Sequence, residues 1–224
     1  MAITHAGLKP IANPSRSAKV VDALREAIYS GRLKPGESIR EMQLARDLQV
    51  SQTTIREALL QLEHGGLIVR QPNRGTRVTE LSPKEIGERV GLRLALEQIA
   101  AGEAARRASR EHLQELEVRL RAISAAVSAN AYYEAGQADL EFHRSIWRAS
   151  GNQTLCRVLD DLTVPLFAFV SMAQSRALDN LSTRTLGHEP ILAAIRSGAS
   201  SSAREAISAH IEGSYGDFLH HEED

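Results

Sequence analysis

Asp139 and His143 stand four residues apart in the run Asp139-Leu140-Glu141-Phe142-His143. On a helix that spacing projects both side chains from one face, about one turn apart. His188 and His210 lie on two later segments with helical patterning, and a helix bundle can bring all four to one interior point. Three neutral imidazoles and a carboxylate suit a divalent metal ion and leave coordination positions open; zinc comes first, with nickel, manganese and iron(II) as alternatives. A plainer reading stays open at this point: Asp139 and His143 as an exposed pair worth ~0.3–0.5 kcal/mol, and each histidine as an ordinary surface group. His5, His64, His112, His220 and His221 take that plainer reading. Arg93, in Leu92-Arg93-Leu94-Ala95-Leu96-Glu97, sits within an apolar stretch. Its planar guanidinium can clasp a carboxylate at two points, or it can pair with Glu97 in the weaker of the two helical orientations.

A second group of residues has the chemistry of base reading. At ~100° per residue, Gln52, Thr53 and Arg56 fall on one face of a helix, away from the apolar face Ile55, Ala58, Leu59 and Leu62. Arginine can bond guanine, and glutamine adenine, at two points, while threonine suits a phosphate or a thymine methyl. Arg74, at the tip of a hairpin, could enter the minor groove or meet a phosphate, and Arg77 and Lys34 would add backbone contacts.

The elements that must carry these residues divide the chain in two. After a tail rich in small residues and proline (residues 1–14), Val20, Val21, Leu24 and Ile28 repeat at helical spacing up to Gly31. Lys34-Pro35-Gly36 makes a turn, and a short helix follows with Leu44, Ala45 and Leu48 inward. Ser51 caps a third helix that ends at Gly65-Gly66. Leu67-Ile68-Val69 and Thr76-Arg77-Val78-Thr79 flank a turn at Pro72-Asn73-Arg74-Gly75. Three helices and a hairpin over residues 15–80 describe a winged helix-turn-helix. From Ser82-Pro83 onward, residues 81–224 read as helix alone, in six segments: 83–108, 110–129, 131–149, 152–174, 184–197 and 199–220. Short connections make an antiparallel bundle the natural architecture, so the fold class is mainly α.

Composition supports this division. Aromatics are 4% of the 224 residues, so aliphatic side chains must fill the core. The net charge of -1 hides an asymmetry: residues 1–80 hold 12 Lys and Arg against 8 Asp and Glu, whereas residues 81–224 hold 15 against 20. The single cysteine, Cys156, excludes an internal disulfide, and no apolar run is long enough to span a bilayer, which together point to a cytoplasmic protein.

The run Gly31-Arg32-Leu33-Lys34-Pro35-Gly36, with Glu41, Leu44-Ala45, Val50-Ser51, Ile55-Arg56-Glu57-Ala58-Leu59, Leu62-Glu63 and Gly66-Leu67-Ile68, resembles the N-terminal domain of the GntR superfamily of bacterial transcription regulators. Two departures stand out. The family commonly reads Ser-Arg-Thr-Pro where this chain has Ser51-Gln52-Thr53-Thr54, and it often has a basic residue at the position of Met42. The resemblance implies DNA contacts from Gln52, Thr53, Thr54, Arg56 and Arg74, with an operator unlike the usual one. The segment Asp139 to His143, followed by Asn152, His188 with Ile191-Leu192, and Ala206-Ile207 with His210-Ile211, resembles the FCD ligand-binding domain of the FadR subfamily, in its six-helix, VanR-like group. In many members of that family the corresponding aspartate and three histidines bind a metal that in turn binds an effector carboxylate. The resemblance carries those roles to Asp139, His143, His188 and His210, and a pocket-facing role to Arg93. Pro190, two residues after His188, requires a helix beginning near Gly187 or a kink.

The expected function is a transcription regulator, in the sense of a repressor, that binds palindromic double-stranded operator DNA as a homodimer and responds to a small organic acid. A metalloenzyme is the rival, since an open metal position can activate water. Against it, Glu141 is expected to point away from His143, and no nucleophile motif appears. A purely structural metal, or a regulator that senses the metal itself, is a third reading.

Overall fold

The computed structural model describes residues 16–71, 75–177 and 187–219. The tail 1–14 and Arg74 at the expected hairpin tip lie outside the described residues. The first helix, α1 (Arg16–Tyr29), buries Val20, Val21, Leu24 and Ile28, the stripe that its period demands. A two-residue strand, β1 (Ser38–Ile39), precedes α2 (Glu41–Asp47) and α3 (Gln52–His64). Between the two helices the chain turns through Gln49, which takes a left-handed φ of 52°. Ser51 caps α3 as expected, its hydroxyl accepting from the Thr54 N–H at 3.1 Å. Strands β2 (Ile68–Gln71) and β3 (Gly75–Val78) pair antiparallel, with Ile68 opposite Val78 and Gln71 opposite Gly75.

Two expectations need correction here. The wing is a three-stranded sheet in the order β1-β3-β2, because Ser38 and Ile39 pair with Arg77 and Thr76. The inward residues expected on α2 are shallow: Leu44 and Ala45 are half-buried, and Leu48 is 37% exposed. A seven-residue helix has too few turns to seat three side chains in a core that α1, α3 and the sheet already fill.

The second unit is built from α4 (Pro83–Arg107), α5 (Arg110–Ser128), α6 (Tyr132–Ala149), α7 (Gln153–Ala177), α8 (His188–Ser197) and α9 (Ser200–Leu219). Helix α4 packs against α6, α7, α8 and α9 and forms the centre. It starts on a reciprocal cap: Ser82 Oγ accepts from the Glu85 N–H, and the Glu85 carboxylate accepts from the Ser82 N–H, with Pro83 in the first turn. Among the described residues, no helix is long and apolar enough to cross a membrane.

Helix α7 continues through Pro165, which has no N–H to give the carbonyl of Asp161 four residues earlier. The Arg89 guanidinium from α4 lies 3.4 Å from that carbonyl and 3.2 Å from that of Leu162, so an intruding side chain takes the place of the missing donor. Pro165 also reaches the winged unit. Gly66 has a φ of +69°, and a Cβ built there would lie 2.9 Å from Pro165 Cγ, a close approach that glycine permits. Around this contact Ile28, Leu67, Leu81, Ala168 and Phe169 come together. Tyr29, at the end of α1, sets its ring edge-on against Tyr133 of α6, with centroids 5.8 Å apart.

Candidate metal centre and nucleic-acid interface

Asp139 and His143 project from one face of α6, as their spacing requires, into the space between α6, α8 and α9. His188 is the first residue of α8, so Pro190 falls in the first turn and introduces no kink. The residue before it, Gly187, has a φ of +109°, and a Cβ on it would lie 2.9 Å from His210 Nδ1. The glycine therefore lets the backbone bring α8 in beside α9.

One ligand atom from each of Asp139, His143, His188 and His210 can be chosen so that all four lie within 4.8 Å of one another. His188 Nε2 is 2.9 Å from Asp139 Oδ1; His143 Nε2 is 3.5 Å from Asp139 Oδ1 and 3.2 Å from His210 Nε2. Ligands bound ~2.0–2.1 Å from a tetrahedral ion stand roughly 3.3–3.4 Å from each other. The donor set therefore fits a divalent ion in composition, and these three separations lie close to the spacing such an ion sets. His143 and His188 are fully buried, and His210 is 8% exposed. The reading of Asp139 and His143 as an isolated exposed pair does not hold. Phe142 meets His188 edge-on and Phe167 meets His143 likewise, which fixes the ring planes by packing.

Arg93 is 1% exposed on α4, between the faces of Phe167 and Tyr215, with Cζ 4.9 and 5.3 Å from their centroids. Its Nη2 lies 3.2 Å from Nε2 and 3.4 Å from Nδ1 of His143. The nearly equal distances to the two ring nitrogens place this guanidinium nitrogen midway between them, beside the His143 ring. Sequence reasoning considered Glu97 only as an alternative partner of Arg93. It is fully buried, accepts from Arg93 Nε at 2.6 Å and lies 2.7 Å from His143 Nδ1. The available signal was its place on the inward face of α4, four residues beyond Arg93.

These contacts set the charges. Burial opposes ionisation of Glu97, but His143 and Arg93 beside it hold its carboxyl far below the usual range. Burial also opposes the charge on His143, and the Glu97 carboxylate overrides it and raises the imidazole. Asp139 is held well below its ordinary value, by His188 first and then by His143, against the effect of burial. His210 is pushed down to about 3, by burial and then by the His188 and His143 charges. Glu141 faces elsewhere, 2.9 Å from Arg144, so no general base stands beside the cluster from that position.

In the winged unit, Gln52, Thr53 and Arg56 are exposed on α3, whereas Thr54 is half-buried with its hydroxyl 2.9 Å from Ser51 Oγ. Arg56 Nε donates to Glu41 of α2 at 2.9 Å, which points the guanidinium along the exposed face. Arg77 donates through Nη1 to the Gly36 carbonyl at 2.8 Å, which braces the wing.

Comparison with known proteins agrees with the two-unit fold. Residues 16–78 match the model of the bacterial regulatory proteins of the gntR family, and residues 88–213 match the FCD domain. A relative named "Probable D-xylose utilization operon transcriptional repressor", from Paenarthrobacter nicotinovorans, is 32% identical over 91% of this chain and 88% of its own. The gluconate operon transcriptional repressor of Bacillus licheniformis is 27% identical over 76% of this chain and 70% of its own. Among solved structures, Escherichia coli McbR/YncC shares the fold, with a TM-score of 0.77 at 22% identity, covering 92% of this chain and 98% of that one. The chain belongs to the GntR family of bacterial regulatory proteins, DNA-binding transcription regulators, in the branch whose C-terminal half is an FCD domain.

Proposed function

We propose that this regulator is a cytoplasmic, metabolite-responsive repressor that binds a palindromic operator as a homodimer and is controlled by a small carboxylate. Residues 15–80 form the DNA-reading unit, behind the tail 1–14, and residues 81–224 form the effector-binding and dimerisation unit. Gln52, Thr53 and Arg56 of α3 contact bases, with Thr54 and Arg74 nearer the backbone. Asp139, His143, His188 and His210 hold a divalent ion, zinc before nickel, manganese or iron. When bound, that ion supplies a Lewis-acidic position for an effector oxygen. Arg93 attracts the carboxylate from the α4 side, while Phe167 and Tyr215 keep water from its guanidinium. An exposed apolar stripe on α4, with Leu92 at 58% and Ile99 at 45% exposure, supports a dimer contact through the bundle.

The observation that carries this reading is the convergence of four donor atoms within 4.8 Å beside a buried arginine. The test is selection from random duplex DNA by the purified protein, followed by titration of zinc and a panel of small carboxylates against the selected site. A two-fold symmetric site released or bound more tightly by a carboxylate in a zinc-dependent way is expected. A carboxylate response that ignores zinc throughout, or no response to any carboxylate, would overturn the effector part of the proposal.

A further inference from the structure

Glu97 carries no assigned role, yet it is fully buried where only a strongly held carboxylate persists. Its two oxygens face different partners. Oε1 accepts from Arg93 Nε at 2.6 Å, and Oε2 lies 2.7 Å from His143 Nδ1. Among the described residues, the Nδ1 atoms of His188 and His210 are buried without a hydrogen-bond partner. His143 is therefore the imidazole of the cluster whose outer nitrogen is held by a carboxylate.

We infer that Glu97 is the positioning residue of the site: one oxygen keeps the proton of His143 on Nδ1, so that Nε2 turns its lone pair to the ion, and the other holds Arg93 beside the same ring. The inference rests on the metal reading above and deepens it. A histidine that ligates through one nitrogen needs its other nitrogen protonated and oriented, and a buried carboxylate does both. Because the same carboxylate holds Arg93, the metal ligand and the effector clasp are set by one side chain on α4. A change in Glu97 thus alters both halves of the site. In Glu97→Gln the amide offers one acceptor and one donor in place of two acceptors. With its donor toward His143 it favours the tautomer protonated on Nε2, which blocks the ion; with its donor toward Arg93 it opposes two donors.

Zinc affinity is measured by competition with a chromophoric chelator for the wild type, Glu97→Gln, His143→Ala and Glu141→Gln. Glu97→Gln should bind zinc 10- to 100-fold more weakly, the usual loss when such an outer partner is removed. His143→Ala should lose more, and Glu141→Gln, which faces Arg144, should match the wild type. In the zinc-loaded wild type, long-range proton–nitrogen NMR correlations should show His143 protonated on Nδ1 and bound through Nε2, a readout that does not depend on whether the variants fold. Unchanged zinc affinity in Glu97→Gln while His143→Ala loses it, or His143 ligation through Nδ1, overturns this inference alone. A wild type that takes up no zinc overturns the metal reading and the inference with it.

Discussion

Replacing Gly66 by alanine tests the seat of the DNA-binding unit on the bundle, because two separate costs arise at one atom. The left-handed φ of +69° at this position costs an L residue ~1–2 kcal/mol. The new Cβ would also stand 2.9 Å from Pro165 Cγ. Pro165 is a rigid ring inside α7 and cannot rotate away, so overpacking adds roughly 1–3 kcal/mol. Gly66→Ala should therefore destabilise by about 2–5 kcal/mol, a fall in melting temperature of roughly 4–20 °C for a chain of this size. In a Pro165→Ala background the clash disappears and the dihedral cost stays, so the same substitution should cost only ~1–2 kcal/mol. Urea unfolding of the four proteins, followed by circular dichroism, gives the coupling directly. Equal costs in the two backgrounds would refute the contact between the units, and a cost under ~0.5 kcal/mol in both would refute the left-handed conformation as well.

Three further outcomes are expected. Arg56→Ala should weaken binding to the selected operator by ~1–3 kcal/mol and relax preference at one base pair per half-site, as judged by fluorescence anisotropy on single-base operator variants; a uniform loss across all variants would make Arg56 a phosphate contact. His210 has a folded pKa of about 3 against an unfolded value of 6.5, so the stability it contributes is fully present above pH 6.5 and falls as pH drops through that window. Metal-free protein should lose up to ~1.4 kcal/mol per pH unit between 6.5 and 4.5, above the range where Asp139 and Glu97 add their own loss, and His210→Asn should flatten that slope; an unchanged slope contradicts the burial of a neutral imidazole. Arg93→Met should abolish the carboxylate response of DNA binding while zinc uptake survives, and a retained response would remove Arg93 from the effector site.

Much of the architecture is readable from local rules. The apolar stripe of α1, the Ser51 and Ser82 caps and the glycine stops at Gly31 and Gly65 each act through neighbours in sequence, so pattern alone locates them. Strand β1 was not legible, because two residues carry no period and Ser38–Ile39 become a strand only by pairing with Thr76 and Arg77 some 40 positions away. Leu48 failed for a related reason: a leucine at an inward position of a short helix is buried only if something covers it. In the site, the Asp139 and His143 spacing was informative because both lie on one helix, whereas the approach of His188 and His210 depends on how α8 and α9 meet α6. The position of His188 became clear only with the N-terminus of α8, where Gly187 absorbs the turn and Pro190 is harmless. Glu97 was visible as a partner for Arg93 but not as a partner for His143, since that 2.7 Å contact spans α4 and α6.

The most direct test of the account is the elemental metal content of untagged protein purified without chelator, measured per chain for the wild type and for His143→Ala. The account predicts about one equivalent of a divalent transition metal in the wild type and its loss in the variant. A folded, DNA-binding wild type that carries none, and takes up none when zinc is added, would contradict it.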